Sequence, residues 1–277
     1  NGSDATGNID VGKVCINDMG CVVIRVALNK RYITLAPVAN LIGLAFTVED
    51  PDKLLGNNTS GVTVALVERG HPGLEQAYYH NPLDTGFPNG TIHGTIDINI
   101  SQVIGGEDNI GNGWKMLMEC LAAGRGICLP ATANASSKVS TLAMLLYTQH
   151  RVQFKRPLID MEGIQNKLAD MIYNTWIINT SVYVTNKILD TGERPSVISA
   201  IMKEQTTERG RQVVNDAMDI YGGSGICKGP NNMIEKFYKN VPIGVTVEGS
   251  NILTRNLIIF GQGLNKSHPH ISNILQS

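Results

Sequence analysis

The chain has 277 residues, 42% of them hydrophobic, and a formal net charge of -1. That suffices for one or two domains with a buried core, and so balanced a charge gives no reason to expect nucleic acid or an anionic membrane surface as a partner. No apolar run is long enough for a transmembrane helix, and Asn1-Gly2-Ser3-Asp4-Ala5-Thr6-Gly7 has neither the basic start nor the apolar core of a secretory leader.

Residues 1–105 read as β-rich. Val14-Cys15-Ile16 and Cys21-Val22-Val23-Ile24 flank the turn-like Asn17-Asp18-Met19-Gly20, which predicts a hairpin. Tyr32-Ile33-Thr34-Leu35 and Val62 to Val67 have strand composition. From Thr91 to Ile100 the residues alternate, with Ile92, Gly94, Ile96, Ile98 and Ile100 on one side, as a half-buried strand requires.

The pattern turns helical after Gly105-Gly106. Residues 114–156 predict one long helix, or two in line with a kink at Pro130. Ile164, Leu168, Met171, Ile178, Val182 and Leu189 form an amphipathic stripe over 161–190, closed by Thr191-Gly192. Pro195 opens the next helix, to about Ile220, and its mostly charged or polar middle, Lys203 to Gln212, predicts a solvated face. Gly222-Gly223-Ser224-Gly225 breaks that helix, and shorter helices follow near 231–240 and 249–260. Helices of about thirty residues pack as a bundle, so the fold class expected is α+β: a β domain followed by an all-α bundle.

The five cysteines, 15, 21, 120, 128 and 227, are odd in number and lack Cys-x-x-Cys spacing. They predict reduced, buried thiols rather than a disulfide frame or a zinc site. His268-Pro269-His270 has no further ligand nearby, so no metal is expected.

Five stretches have the character of a site. Glu248 in Val247-Glu248-Gly249-Ser250-Asn251-Ile252-Leu253-Thr254-Arg255 stands between an apolar lead-in and an apolar helix. A desolvated carboxylate has a raised pKa and suits general-base work, but a first-turn helix glutamate facing water fits the same residues, and on these alone it leads. Tyr32 and Thr34 offer a ring for one face of a flat cofactor and a hydroxyl for its edge, or an ordinary strand. Arg151 in Arg151-Val152-Gln153-Phe154 has the fork to pair with a phosphate, or complements a helix C-terminus. Asp219-Ile220-Tyr221-Gly222-Gly223-Ser224-Gly225 lets a backbone approach a phosphate or adenine, or caps a helix. Arg125, between Gly124 and Gly126 in an apolar helix, needs an anionic partner if buried, from the protein or from a ligand.

In their order and spacing these segments resemble the acyl-CoA dehydrogenase family from Gly2 to about Gly263. The large bacterial fatty-acyl-CoA dehydrogenases are the most similar branch. The matches that carry the resemblance are Asn29 to Pro37, Arg151-x-Gln153-Phe154, Asp219 to Gly225 and Val247 to Arg255, extended by Phe260-Gly261-Gln262-Gly263. The resemblance implies a middle β-barrel-like domain over 1–105, lacking its start. It implies a C-terminal four-helix-bundle domain over 106–265, and a tail, 266–277, that begins a longer extension. An N-terminal helical domain would precede them.

The resemblance also implies a chemistry. A glutamate removes the α-proton of a fatty acyl-CoA while a β-hydride passes to FAD, giving the trans-2-enoyl-CoA of the first step of fatty-acid β-oxidation. Glu248 matches that base. Tyr32, Ile33 and Thr34 match the strand against the flavin ring. Arg151 and Gln153 match positions that reach the FAD of a neighbouring subunit, and Asp219, Ile220, Tyr221, Gly222 and Gly223 match the stretch holding its adenosine part. Ser250, Asn251 and Ile252 are further flavin-contacting candidates, and Ser3, Arg125 and Gly249 are substrate-binding candidates. The implied partners are electron-transfer flavoprotein and further copies of the chain, as a homodimer or homotetramer. A cytoplasmic location is expected, with or without peripheral contact at the inner membrane. Val247, Ser250, Tyr32, Lys155, Glu162 and Ala122 depart from commoner family residues and point to the subfamily. An acyl-CoA oxidase, or a non-catalytic fragment serving as an oligomerising helical module, are the alternatives.

Overall fold

The structure is a computed structural model that describes residues 10–56, 60–193, 195–263 and 270–271. Ser3, His268 and all of the 266–277 tail but His270 and Ile271 lie outside the described residues. The chain divides into two compact units, Asn1–Glu119 and Cys120–Ser277, each described by itself.

The first unit is built on one six-stranded sheet. Its strands are β1 (Val11–Ile16), β2 (Val22–Thr34), β3 (Leu41–Glu49), β4 (Gly61–Glu68), β5 (Glu75–His80) and β6 (Asn89–Asn99), in the order β4-β3-β1-β2-β6-β5. Only β1 and β3 run parallel; the other neighbours are antiparallel. The β1–β2 hairpin closes where predicted: Asn17 Oδ1 accepts from the Met19 and Cys21 amides at 3.1 and 2.9 Å. Ile92, Ile96 and Ile98 of β6 are buried with Ile24, Val26 and Leu28 of β2, so the alternation of period two does sort faces. Two strands went unread in the sequence. β3 carries its own alternation, Ile42, Leu44, Phe46 and Val48, all buried. β5, Glu-Gln-Ala-Tyr-Tyr-His, is an exposed polar edge and carries no such signal. Val103 and Ile110 are buried in this same core, so it reaches past the Gly105-Gly106 pair.

The long helices are α1 (Gly113–His150), α2 (Glu162–Asp190) and α3 (Ser196–Tyr221); α4 (Gly223–Ile226), α5 (Glu235–Thr246) and α6 (Asn251–Leu253) are shorter, and a wide-turned π-helical stretch spans Thr254–Gly263. The predicted α2 stripe is real, with Leu168, Met171 and Ile178 buried. α1 runs through Pro130 as one helix but stops at His150, not at 156. Residues 152–157 instead form a tight hairpin, β7 (Val152–Gln153) paired with β8 (Arg156–Pro157). Its two tip residues, Phe154 and Lys155, have positive φ of 50° and 64°, which helical backbone cannot accommodate.

Two expectations are corrected. Lys203 to Gln212 is not a solvated face: Lys203, Glu204, Thr206, Thr207 and Gly210 are buried. α3 packs against α2, α5 and the Thr254–Gly263 stretch, so little of it remains for water. The cysteines are free thiols, but Cys21, Cys120, Cys128 and Cys227 are exposed and Cys15 half-buried: Cys21 and Cys227 lie in connections, and Cys120 and Cys128 on an outward side of α1.

Candidate active site

The site is organised by α3. One stripe at spacings of three and four, Ala200, Lys203, Thr207, Gly210, Val214, Ala217 and Tyr221, is buried from end to end. Its small residues admit α1 closely. A Cβ on Gly126 would stand 3.1 Å from Ser199 Oγ, and one on Gly210 would stand 3.2 Å from Ala133 Cβ. This contact brings Arg125, next to Gly126, to the α3 side of α1.

The polar members of α3 hold the turn that links α5 to α6. The Lys203 ammonium donates to Val245 O at 3.2 Å, to Gly249 O at 2.7 Å and to Asn251 Oδ1 at 2.6 Å. Val245 O lies in the last turn of α5, where a cation complements the helix dipole. Asn251 Nδ2 donates to Thr207 Oγ1 and to Glu208 Oε1, each at 3.0 Å. Arg255 Nε donates to Glu204 Oε1 at 3.0 Å, clamping the following segment to a carboxylate that is almost fully buried. Ser250 caps α6, its Oγ accepting from the Leu253 amide at 3.3 Å.

Glu248 sits at the apex of this turn. Its φ is 53° and that of Gly249 is 87°, so two consecutive residues are left-handed. The first is a conformation that non-glycine residues rarely take. Glu248 is itself exposed, yet the protein around its carboxyl strips away enough water to raise its pKa; Lys203 and then Arg125, both cations, pull it back down. Burial lowers the pKa of Arg125, and Glu248 opposes that shift. Burial also lowers Lys203 to about 8, against the opposing pull of Glu248. The result is a solvent-accessible carboxylate of raised proton affinity, beside two cations, on a fixed turn. Such a group has the chemistry of a general base.

The structure brings Glu248, Gly249, Ser250, Asn251, Ile252 and Arg125 together. Asn251 directs its amide into the bundle, whereas Ile252 is 72% exposed. The Asp219–Gly223 stretch lies at the far end of α3. Asp219 pairs with Lys167 at 2.9 Å, Ile220 is buried, and Tyr221 donates its hydroxyl to Asn231 O at 2.5 Å while meeting Tyr147 edge-on. The Asp219 side chain remains largely exposed, and at Gly222 and Gly223 nothing stands near the position of a Cβ. Arg151 and Gln153 are exposed at the 152–157 hairpin. Tyr32, Ile33 and Thr34 end β2 in the first unit, past a register shift after Lys30. The Tyr32 ring is 66% exposed and rests on His80 at 4.9 Å between centroids. Lys203 was missed because composition, not period, was read there. A three-four stripe of small and apolar residues runs through Lys203 and Thr207, but burial of the two polar members depends on the partners that surround them.

Residues 111–261 match the family model described as acyl-CoA dehydrogenase, C-terminal domain. The chain belongs to the acyl-CoA dehydrogenase family. Among curated relatives of this family, cyclohex-1-ene-1-carbonyl-CoA dehydrogenase of Geobacter metallireducens is 28% identical over 236 residues, covering 82% of this chain and 58% of that protein. The chain thus spans about three fifths of that relative's length. Butyryl-CoA dehydrogenase of Megasphaera elsdenii superposes with a TM-score of 0.81 at 24% identity, covering 95% of this chain and 65% of that one. Acyl-CoA dehydrogenase of Bacillus anthracis, complexed with FAD, also gives 0.81, at 22% identity, covering all of this chain and 48% of that one. A sheet followed by a helical bundle is therefore the fold of the family as well as of this chain.

Proposed function

We propose that the whole protein is an FAD-dependent dehydrogenase that converts a fatty acyl-CoA to the trans-2-enoyl-CoA, with Glu248 as the base. The observation that carries this reading is Glu248 itself: an accessible carboxylate of raised pKa, fixed on a left-handed turn within the family-matched region. Desolvation sets its basicity and the turn sets its direction, the two requirements of a proton acceptor that must meet a weakly acidic C–H.

The residues present fit a flavin dinucleotide. Gly222 and Gly223 leave the backbone open to a close approach, the exposed Tyr32 ring offers a face, and Thr34 and Arg151 are exposed donors. Tyr32, Ile33 and Thr34 are proposed flavin contacts of the first unit, and Ser250 and Ile252 are proposed flavin contacts of the second, each taken by itself. The Asp219–Gly223 backbone is proposed to hold the adenosine part, and Arg151 with Gln153 to reach the cofactor of a second copy in a dimer or tetramer. When bound, FAD supplies the acceptor for the hydride leaving the substrate β-carbon. Glu248 takes the α-proton, and Arg125 and Gly249 line the acyl-CoA thioester. Electron-transfer flavoprotein is the proposed acceptor of the electrons.

The test is Glu248→Gln in the full-length, FAD-loaded enzyme. The amide is nearly isosteric and holds the turn but takes no proton. The flavin spectrum should persist while enoyl-CoA formation, and exchange of the substrate α-proton with deuterated solvent, fall by about 10²–10⁴-fold, the range general bases supply. An undiminished rate would remove Glu248 from the mechanism.

A further inference from the structure

Lys203 is fully buried, yet no part of the chemistry above uses it. Its three ammonium protons all have acceptors on the segment that carries Glu248: one in the last turn of α5, one immediately after Glu248, and one on Asn251. The third acceptor is itself anchored, because the Asn251 amide donates back to Thr207 and Glu208 of α3. We propose that Lys203 is the positioning residue for Glu248, tying the main chain on both sides of the glutamate to α3 and so fixing the direction of the carboxylate.

The reasoning starts from the backbone. A left-handed glutamate followed by a left-handed glycine does not persist on its own preferences; its surroundings must hold it there. The turn's own bonds each stay on one flank: Val247 N to Ile243 O before it, and Leu253 N to Ser250 Oγ, Thr254 N to Ser250 O and Asn251 O, and Thr254 Oγ1 to Gly249 O after it. None of these reaches across Glu248 to tie its two flanks to one point. The Lys203 ammonium does, and α3 is the most enclosed helix of its unit. Its charge matters as well. The ionisable groups around it are Glu248, Arg125, Glu208 and Glu204, and of the two cations that stabilise ionised Glu248, Lys203 does so more strongly than Arg125. Methionine at this position keeps most of the volume but none of the hydrogen bonds or charge.

This inference rests on the reading of Glu248 as the base, and the experiment separates the two. Hydrogen exchange is measured on the full-length, FAD-loaded wild type and Lys203→Met, alongside kcat, KM and the pH profile of kcat/KM. In Lys203→Met the amides of residues 246–251 should exchange at least about tenfold faster while those of α2 keep their protection. kcat should fall about 100-fold, as a displaced catalytic group does, with little change in KM. The acid limb of the profile should move to higher pH, because a neighbouring positive charge is gone. A lysine that only stabilised the bundle would leave that limb where it is. Exchange over 246–251 equal to wild type, or an unmoved acid limb with unchanged kcat, overturns the proposal. Should Lys203→Met not fold, Asn251→Ala removes one acceptor and its anchor, and unchanged exchange in that variant overturns it equally. If the wild type forms no enoyl-CoA, the functional reading fails, while the exchange comparison still decides whether Lys203 holds the turn.

Discussion

Two glycines five residues apart should respond to alanine with opposite signs. Gly249 has a φ of 87°, and an added Cβ would meet Thr254 Oγ1 at 3.3 Å, close enough that the threonine must give slightly. Left-handed backbone costs an L residue about 1–2 kcal/mol. The turn has one escape, to flip out of that region, but flipping turns Gly249 O away from the Lys203 ammonium, 2.7 Å distant. A hydrogen bond to a charged group is worth about 1.5–3 kcal/mol, so remaining strained is cheaper, and Gly249→Ala should destabilise by about 1–2 kcal/mol. Gly244 lies inside α5 with no positive φ, and its new Cβ would make an ordinary 3.5 Å contact with Thr207 Cγ2. There alanine should stabilise by about 0.5–1 kcal/mol through helix propensity. Equilibrium urea denaturation of both variants reads the free energies directly, and turnover of the loaded enzyme reads whether Glu248 has shifted. Gly249→Ala as stable as wild type, or both variants moving in the same direction, would refute the left-handed turn.

Further outcomes follow from the same geometry. Lys203 is lowered from 10.5 to about 8 in the folded chain. Between those values the unfolded chain binds one proton more, so stability should rise with pH from about 8 to 10.5, and the gain is lost as pH falls through 8. A span of about 2.5 pH units at ~1.4 kcal/mol each sets the rise at ~3 kcal/mol, and denaturation midpoints against pH should show it in wild type but not in Lys203→Met. Lys155 holds a φ of 64° at a hairpin tip where glycine is at ease. Lys155→Gly should therefore raise stability by about 0.5–1 kcal/mol, and a fall in the urea midpoint would argue against the tight turn.

Much of the fold is legible in the residues, and particular elements show why. β6 and α2 each bury one face, so their periods of two and three to four survive as readable patterns. β5 is an edge and has no buried face to report. The hairpin at 152–157 follows a helical pattern, and of Val-Gln-Phe-Lys-Arg-Pro only the closing Pro157 opposes a helix; the positive φ at Phe154 and Lys155 is set by pairing, not by glycine. Glu248 was legible as a carboxylate among apolar residues, and the sequence left open whether it faced bulk water or a site.

The sequence by itself determined the change from β to α after Gly106, the helix α2, the glutamate before a small-residue turn, and the motifs that mark the family. Only the tertiary structure decided that Lys203 is buried and that Glu248 is left-handed. The reason is physical. A period records which face of an element is apolar, but burial of a polar residue depends on how many elements pack around it and whether they supply partners. A strained φ likewise belongs to no residue alone. It exists because an ammonium ion, distant in sequence from the turn, binds the chain on both sides of the glutamate.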